Sequence, residues 1–411
     1  MLTEEMGNKY LSDRAASLQA LNRFSAHLPA YSQRRNVVEA GHPHVSRLSE
    51  AVKARLISEY EVASGILQQH AFKRAEKYVQ EVYWRLYWKG WLEWHPEVWT
   101  EYRSELSQVR DMLTEEQRRL YTVVQQGESG VKIMDRFAQE LVETGYLHNH
   151  ARMWFAGYWI HVCGLPWHLG ADFFYRHLLD ADPASNTLSW RWVAGLQTQG
   201  KNYLPHAGNI RKYCCYPEAA DPMLDEQLRR KSDKPEAGYQ RAKRLDHWQQ
   251  TQVPEIDEPY LLWIHGDDLS FWEQQQNMPQ HQPVAGVMVQ DENLTEEFAI
   301  SELRSQFMRD VFTDARCRFE SMSGLEVRWR FGSLVKEIIQ EVKANEVAVV
   351  AGMLPAVGPL RSLLPKMQHE LKQYGIRLVL WRRPEDEQVL PWAAKGFFPF
   401  WKSIQAEFLS S

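Results

Sequence analysis

The sequence predicts two domains in series, an all-helical half followed by an α/β half built on a parallel sheet. Three observations predict it. Through residues 15–215 apolar side chains recur at helical spacing, as in Arg74–Glu93 and Val131–Cys163, and β-branched runs are scarce. Residues 217–258 shift to Ala, Pro, Asp, Glu, Lys, Arg and Gln with few large apolar side chains, the composition of a linker. From Pro259 short apolar runs alternate with long amphipathic stretches, the grammar of parallel strands joined by crossover helices.

Element by element, the first half is punctuated by loops at Gly41–Pro43, Gly127–Gly130, Gly164–Pro166 and Asp182-Pro183. In the second half, Tyr260–His265, Val284–Val289, Val347–Gly352 and Ile376–Trp381 read as buried strands. Helices are expected near 296–319, 333–344 and 359–373. The expected domains are therefore 1–216 and 259–411, joined by a linker over 217–258 that is helical in part. No G-x-G-x-x-G follows the first strand and no Walker A motif occurs, so the α/β half announces no nucleotide site.

Composition narrows the class. No apolar run reaches the 18 residues or so of a membrane span, and Met1–Tyr10 lacks the apolar core of a secretory signal. The four cysteines are too few for a disulfide scaffold and show no C-x-x-C pair, so they read as structural thiols in a reducing cytoplasm. Net charge is −5, with 32 Lys+Arg against 30 Asp+Glu over residues 1–250. Nucleic-acid binding would thus need a local basic patch on the first half. Seventeen tryptophans are unusual, and 13 of them precede residue 275. They suit either helix packing or electron transfer beside a redox cofactor. His42-Pro-His44 and His148-Asn-His150 lack a matching carboxylate spacing, and no metal is expected.

Four segments then stand out. The first is His44-Val-Ser46-Arg47-Leu48-Ser49, similar to T-S-R-L-S, where hydroxyls and backbone N–H groups at a helix start suit a diphosphate. The second is Glu81-Val-Tyr-Trp84-Arg85-Leu-Tyr87, similar to E-L-x-W-R-E-F, with Glu81 and Arg85 on one helix face. The third is Thr144-Gly-Tyr-Leu-His-Asn149-His-Ala-Arg152-Met153, and the fourth runs from Leu178 through Asp180, Asp182, Asn186 and Trp190 to Trp192. Taken in order, they resemble the FAD-binding domain of DNA photolyases and cryptochromes. Read from the residues alone, the two aspartates serve equally well as helix caps.

That resemblance implies FAD held by Ser46, Arg47, Leu48, Ser49, Arg85, Asn149, Arg152, Asp180, Asp182 and Asn186, with Tyr31 on the flavin side. It implies Glu81, Asn149 and Asn186 as catalytic residues, with Asn186 on flavin N5. Arg35, Trp84, Met153 and Trp192 would face damaged DNA, single- or double-stranded. Trp190 matches the flavin-proximal electron donor, and Trp167, 13 residues before Asp180, the middle one. The surface donor is open among Trp94, Trp99 and Tyr121. Family enzymes for the 6-4 photoproduct carry His at the positions of Asn149 and Met153, so the resemblance favours a deoxyribodipyrimidine photolyase for cyclobutane dimers.

Departures mark the other end of the pocket. Val45 replaces the Thr of the serine loop, Thr187-Leu-Ser189 replaces an N-G-G turn, and Lys201–Tyr213 replaces P-Y-F-R-I-F-N-P. These motivate a second expectation, a cryptochrome-like photoreceptor with a protein partner and no repair. In the second half, Leu261–Leu269 resembles the family's opening strand and Gly396–Lys402 the end of its Rossmann-like antenna domain. Since that domain ordinarily comes first, the resemblance implies a circular permutation. An antenna chromophore would belong there, its identity open.

Overall fold

The computed structural model describes residues 10–198, 203–229 and 240–408. The first two residues of the replaced segment, 201–202, and the linker stretch 230–239 lie outside the described residues. So do residues 1–9 and 409–411. The chain forms two compact units, one of Met1–Asn22, Leu48–Trp94 and Leu245–Ser411, the other of Arg23–Arg47 and His95–Arg244. These units differ from the expected domain limits, because three helices of the first half group with the sheet unit.

The sheet unit carries five parallel strands, β1 (Tyr260–Ile264), β2 (Ala285–Asp291), β3 (Val327–Gly332), β4 (Val349–Met353) and β5 (Arg377–Trp381), in the order β3-β2-β1-β4-β5. Leu261 of β1 aligns with Ala285 of β2 and Val350 of β4, which centres the most apolar strand. Residues alternating along these strands, Leu261, Trp263, Val287 and Val350, pack on the helices Leu334–Ala344 and Pro359–Gln373 through Ile338, Val342, Met367 and Leu371. Strand β3 escapes the sequence pattern. It is an edge strand whose Arg328 and Arg330 interrupt the apolar run, and its Phe331 is exposed.

Helices Ser49–Lys53, Glu59–Leu67 and Phe72–Trp94 belong to this unit. Ser58 and Glu61 close a capping box on the second of them. At Gly90 a Cβ would stand 2.6 Å from the Leu390 carbonyl and 2.8 Å from the Ala393 Cβ, so glycine lets the long helix touch the turn Leu390–Ala394. The expected linker is no free tether where it is described: Thr251 Oγ1 and Trp248 Nε1 both donate to the Glu387 carboxylate, at 2.7 and 2.8 Å.

A buried ionic network ties these pieces. Arg55 grips Asp386 with both terminal nitrogens, at 2.7 and 2.8 Å, and reaches Glu59 and Asp268. Arg383 forks onto Asp268 at 2.6 Å, Lys89 meets Glu59 at 2.9 Å, and Arg382 meets Glu93 at 2.7 Å. Burial pushes the Glu59 and Asp268 carboxyls up, but Lys89 and Arg55 for one, and Arg383 and Arg55 for the other, outweigh it and hold both below the usual carboxylate range. The network occupies the carboxyl ends of β1 and β5, where Asp268 and Arg383 follow their strands. Beside it lies a cleft lined by Arg55, Lys89, Glu93, His265, Asp267 and Leu354.

The second unit is helical. Its helices include Leu28–Arg34, Glu97–Asp111, Glu115–Gln126, Lys132–Thr144, Asn149–Gly157, Trp167–His177, Pro183–Val193 and Ala207–Tyr213, with a π-helical turn at Tyr158–Val162. The helix Ala207–Tyr213 is what the substituted segment becomes. Trp154 Nε1 donates to Asn209 at 3.0 Å, and Gly157 lets Pro205 approach to 2.8 Å from where a Cβ would stand. Among the described residues no helix is long and apolar enough to cross a membrane.

Candidate functional site

In the helical unit the third and fourth motifs are brought together by a glycine. Gly145 ends the helix Lys132–Thr144 in the left-handed conformation, φ 66°, and a Cβ there would lie 2.5 Å from Leu179. Its carbonyl accepts from the Leu179 N–H at 2.9 Å. Arg152 then reaches Asp180, Nη2 to Oδ2 at 3.0 Å, while its Nε donates to the Leu147 carbonyl at 2.7 Å. Asp180 is buried, so this pair fixes a guanidinium and a carboxylate side by side away from bulk water.

Tyr146 is the centre of the constellation. The Arg47 guanidinium lies 3.7 Å above its ring, His42 packs on it at 4.9 Å, and Arg152 stands 5.8 Å away. His42 bonds Glu140 at 2.7 Å, and Tyr216 donates to the other oxygen of that carboxylate at 3.1 Å. His148 stacks on His42 at 5.7 Å and caps the helix Asn149–Gly157 by accepting from the His150 N–H. Burial, reinforced by His42, His150 and Arg152, pushes the His148 imidazole down to about 3, so it stays neutral. Tyr146 was not singled out from sequence, and His148 was weighed there only as a metal ligand. Their place inside the third motif, flanking Leu147, was the available signal.

Arg47 holds its position at φ 53°, an unusual conformation for a residue with a side chain. Ser46, its neighbour, is half-buried. Leu48 and Ser49 are counted with the sheet unit, where Ser49 Oγ donates to Glu50 at 3.3 Å. The helix they open is a single five-residue turn without a side-chain cap.

Tyr31 is buried edge-on against Phe24, and Arg35 follows the same short helix. His150 Nδ1 meets the Asn36 carbonyl at 3.0 Å, which ties this segment to the third motif. Asp182 caps the helix Pro183–Val193 through the Ser185 N–H at 2.8 Å, the helix-cap role open from sequence. Asn186 is buried, its amide donating to the Ala171 carbonyl at 2.8 Å. Asn149 is exposed, Met153 half-buried, and Trp192 packs at 6.0 Å from Tyr203.

Trp190 is fully buried beneath Gly170, whose Cβ, if present, would stand 2.3 Å from the indole. It touches Phe174 at 5.0 Å and Trp159 at 6.1 Å. Trp167 stacks on Tyr102 at 5.3 Å and lies 5.7 Å under the Arg191 guanidinium. Of the surface candidates, Tyr121 meets Trp159 at 5.7 Å and Trp99 meets Tyr102 at 5.6 Å, while Trp94, in the sheet unit, packs on Trp248.

Glu81, Trp84 and Arg85 sit half-buried on the helix Phe72–Trp94 of the sheet unit. Trp84 lies flat on Phe397, centroids 3.7 Å apart and planes 6° apart. One face of the expected base platform is thus taken by the chain itself.

The donor set of the helical unit fits FAD. Guanidiniums at Arg47 and Arg152 suit anionic oxygens, and the Asp180 carboxylate and Asn186 amide suit the N–H and C=O edge of an isoalloxazine. Arg47 Nε and Thr187 Oγ1 are buried without a hydrogen-bond partner in the chain, which leaves polar atoms for a bound group to satisfy. Among the described residues no group of three or more His, Cys, Asp or Glu is placed to hold a metal.

Comparison with known proteins agrees. Residues 78–227 match the profile of the FAD binding domain of DNA photolyase. A deoxyribodipyrimidine photo-lyase of Alkalihalophilus pseudofirmus is 29% identical over 159 residues, 38% of this chain and 33% of that protein. One of Thermus thermophilus is 29% identical over 236 residues, 53% of this chain and 54% of its own. Cryptochrome-1 of Arabidopsis thaliana is 33% identical over 78 residues, 19% of this chain and 12% of its length. The chain spans between about a third and a half of the photolyases it matches here. Residues 78–227 thus form a FAD-binding domain of the DNA photolyase kind, and the chain is similar to photolyases and cryptochromes.

Proposed function

We propose that the protein is a FAD-dependent, blue-light-driven DNA photolyase acting on cyclobutane pyrimidine dimers. The observation that carries this reading is the joined third and fourth motifs, with the Arg152–Asp180 pair, the anchored Asn186 and buried Trp190 inside the matched FAD-binding region. FAD, when bound, supplies light absorption and the electron for dimer cleavage. The protein's part is position, charge and dryness. Arg152 and Asp180 orient the flavin edge, and the neutral His148 adds no competing charge beside them. Asn149 and Met153, where dimer repair calls for residues other than His, would line the lesion, with Arg35 and Trp192 toward DNA. The partner is then damaged DNA, and four cysteines without a C-x-x-C pair suit the reducing cytoplasm.

We also read the domain order as permuted. The FAD-binding match ends at residue 227, before the sheet opens at Tyr260, and the parallel order centred on β1 suits an antenna-type Rossmann-like domain placed second. An antenna chromophore would be bound by that domain.

A second reading, light sensing without repair, is favoured by Trp84. Its stacking on Phe397 takes one indole face and leaves a flipped base the other at most. One experiment separates the two. Purified protein, photoreduced and given a thymine-dimer oligonucleotide under blue light, should restore intact thymines. A FAD-loaded protein that leaves single- and double-stranded dimers untouched refutes repair and leaves sensing.

A further inference from the structure

We propose that Trp159 and Tyr121 form the electron relay that serves Trp190 in this chain, with Tyr121 as its surface terminus. The proposal rests on the FAD reading above and concerns the chain's own aromatic rings.

Trp159 lies in the π-helical turn Tyr158–Val162, where the Cys163 N–H reaches back five residues to the Tyr158 carbonyl at 2.9 Å. Such turns are rare and frequent at functional sites. Here the turn sets the Trp159 indole edge-to-face against Trp190, 6.1 Å between centroids at 82°. Tyr121 stands edge-to-face against the same indole, 5.7 Å away at 85°. The three rings follow one another edge-to-face at centroid separations of 6.1 and 5.7 Å, from the buried Trp190 to a partly exposed Tyr121.

Electrostatics separate this route from the one through Trp167. A positive hole on Trp167 would face the Arg191 guanidinium 5.7 Å away, a repulsion that Glu101 and Glu105 offset in part. The Trp159 branch also meets a guanidinium, Arg176, whose Nη2 donates to the Tyr121 hydroxyl at 3.5 Å, but Tyr121 ends as a neutral radical with no lasting positive charge to repel. The Trp159 Nε1–H donates to the Pro166 carbonyl at 3.0 Å, which stabilises positive charge on the ring. The ends differ too. The Trp167 branch leads to Tyr102 and Trp99, both buried, so an oxidised Tyr102 has no water to take its proton. Tyr121 is half-exposed.

Trp190 gives one electron to the photoexcited flavin, Trp159 refills Trp190, and Tyr121 refills Trp159. Tyr121 loses its phenolic proton to water and becomes a neutral tyrosyl radical, which an added thiol then reduces with one electron and one proton. The flavin is reduced by one electron for each thiol oxidised by one.

The test is EPR of the FAD-loaded full chain, frozen under blue light without thiol, for wild type and Y121F, W159F and W167F, with FAD content read from absorption first. A tyrosyl signal in wild type and W167F that is lost in Y121F and W159F is the expected result. It is accompanied by slower flavin photoreduction in W159F than in W167F. A tyrosyl signal that survives Y121F, or is lost only in W167F, or is missing from wild type, overturns the relay while the FAD reading stands. A wild-type protein that takes up no FAD overturns both.

Discussion

Gly170 is where packing and electron transfer meet, and a methyl group there is a sharp perturbation. In Gly170→Ala the new Cβ would sit 2.3 Å from two carbons of the Trp190 outer ring and 3.0 Å from a third. Trp190 is held by Phe174 and Trp159 and cannot swing away cheaply. Overpacking of this kind costs about 3 kcal/mol, the upper end of the usual range, because both clash partners are rigid. The helix interior gains about 1 kcal/mol from replacing glycine by alanine, which leaves a net loss of about 2 kcal/mol. In a Trp190→Phe background the three clashing atoms are gone, so the same substitution should gain about 1 kcal/mol. The coupling in a double-mutant cycle is then about 3 kcal/mol, well above what independent sites show. Urea unfolding of the four proteins, followed by far-UV circular dichroism, reads it. Equal effects of Gly170→Ala in both backgrounds would refute the packing argument.

Other expectations follow from the same contacts. Asp268→Asn should destabilise by about 3–5 kcal/mol in thermal or urea unfolding, because it leaves Arg383 and Arg55 buried with reduced compensation. By contrast Glu302→Gln, which breaks an exposed pair with Arg309, should cost under about 1 kcal/mol. His148, with a folded value near 3 against an ordinary one near 6.5, contributes stability above pH 6.5 that is lost as pH falls toward 3. The slope approaches about 1.4 kcal/mol per pH unit in that window. His148→Asn, which keeps a capping acceptor, should flatten the slope by about one proton in urea titrations at several pH values. Arg152→Met should weaken FAD retention on gel filtration while leaving the helical circular dichroism unchanged, and undiminished retention would count against the site.

Much of this was legible in the sequence. Four of five strands fall on their apolar runs, and the helical grammar of residues 15–215 carries through. Strand β3 was hidden by Arg328 and Arg330, which an edge strand tolerates and a buried one does not. The third and fourth motifs come together as their order implied, since Gly145 and Leu179 lie inside the matched stretches. The grouping of helices 49–94 with the sheet was not legible. Arg55, Glu59, Lys89 and Glu93 look like an ordinary solvated face until their distant partners Asp268, Asp386 and Arg382 are known. Trp159 escaped notice because it belongs to no motif, and a π-helical turn leaves no clear pattern in a single sequence. At the serine loop the helix start falls where the hydroxyl pattern put it, at Ser49, but the helix is only one short turn.

The central claim, a flavin held by the third and fourth motifs, is tested most directly by the visible absorption of the purified protein after reconstitution with FAD. The account predicts flavin bands that co-elute with the protein at one FAD per chain and are lost in an Asp180→Ala, Arg152→Met double variant that remains folded. Absence of bound FAD in the wild type, or full retention in that variant, would contradict it.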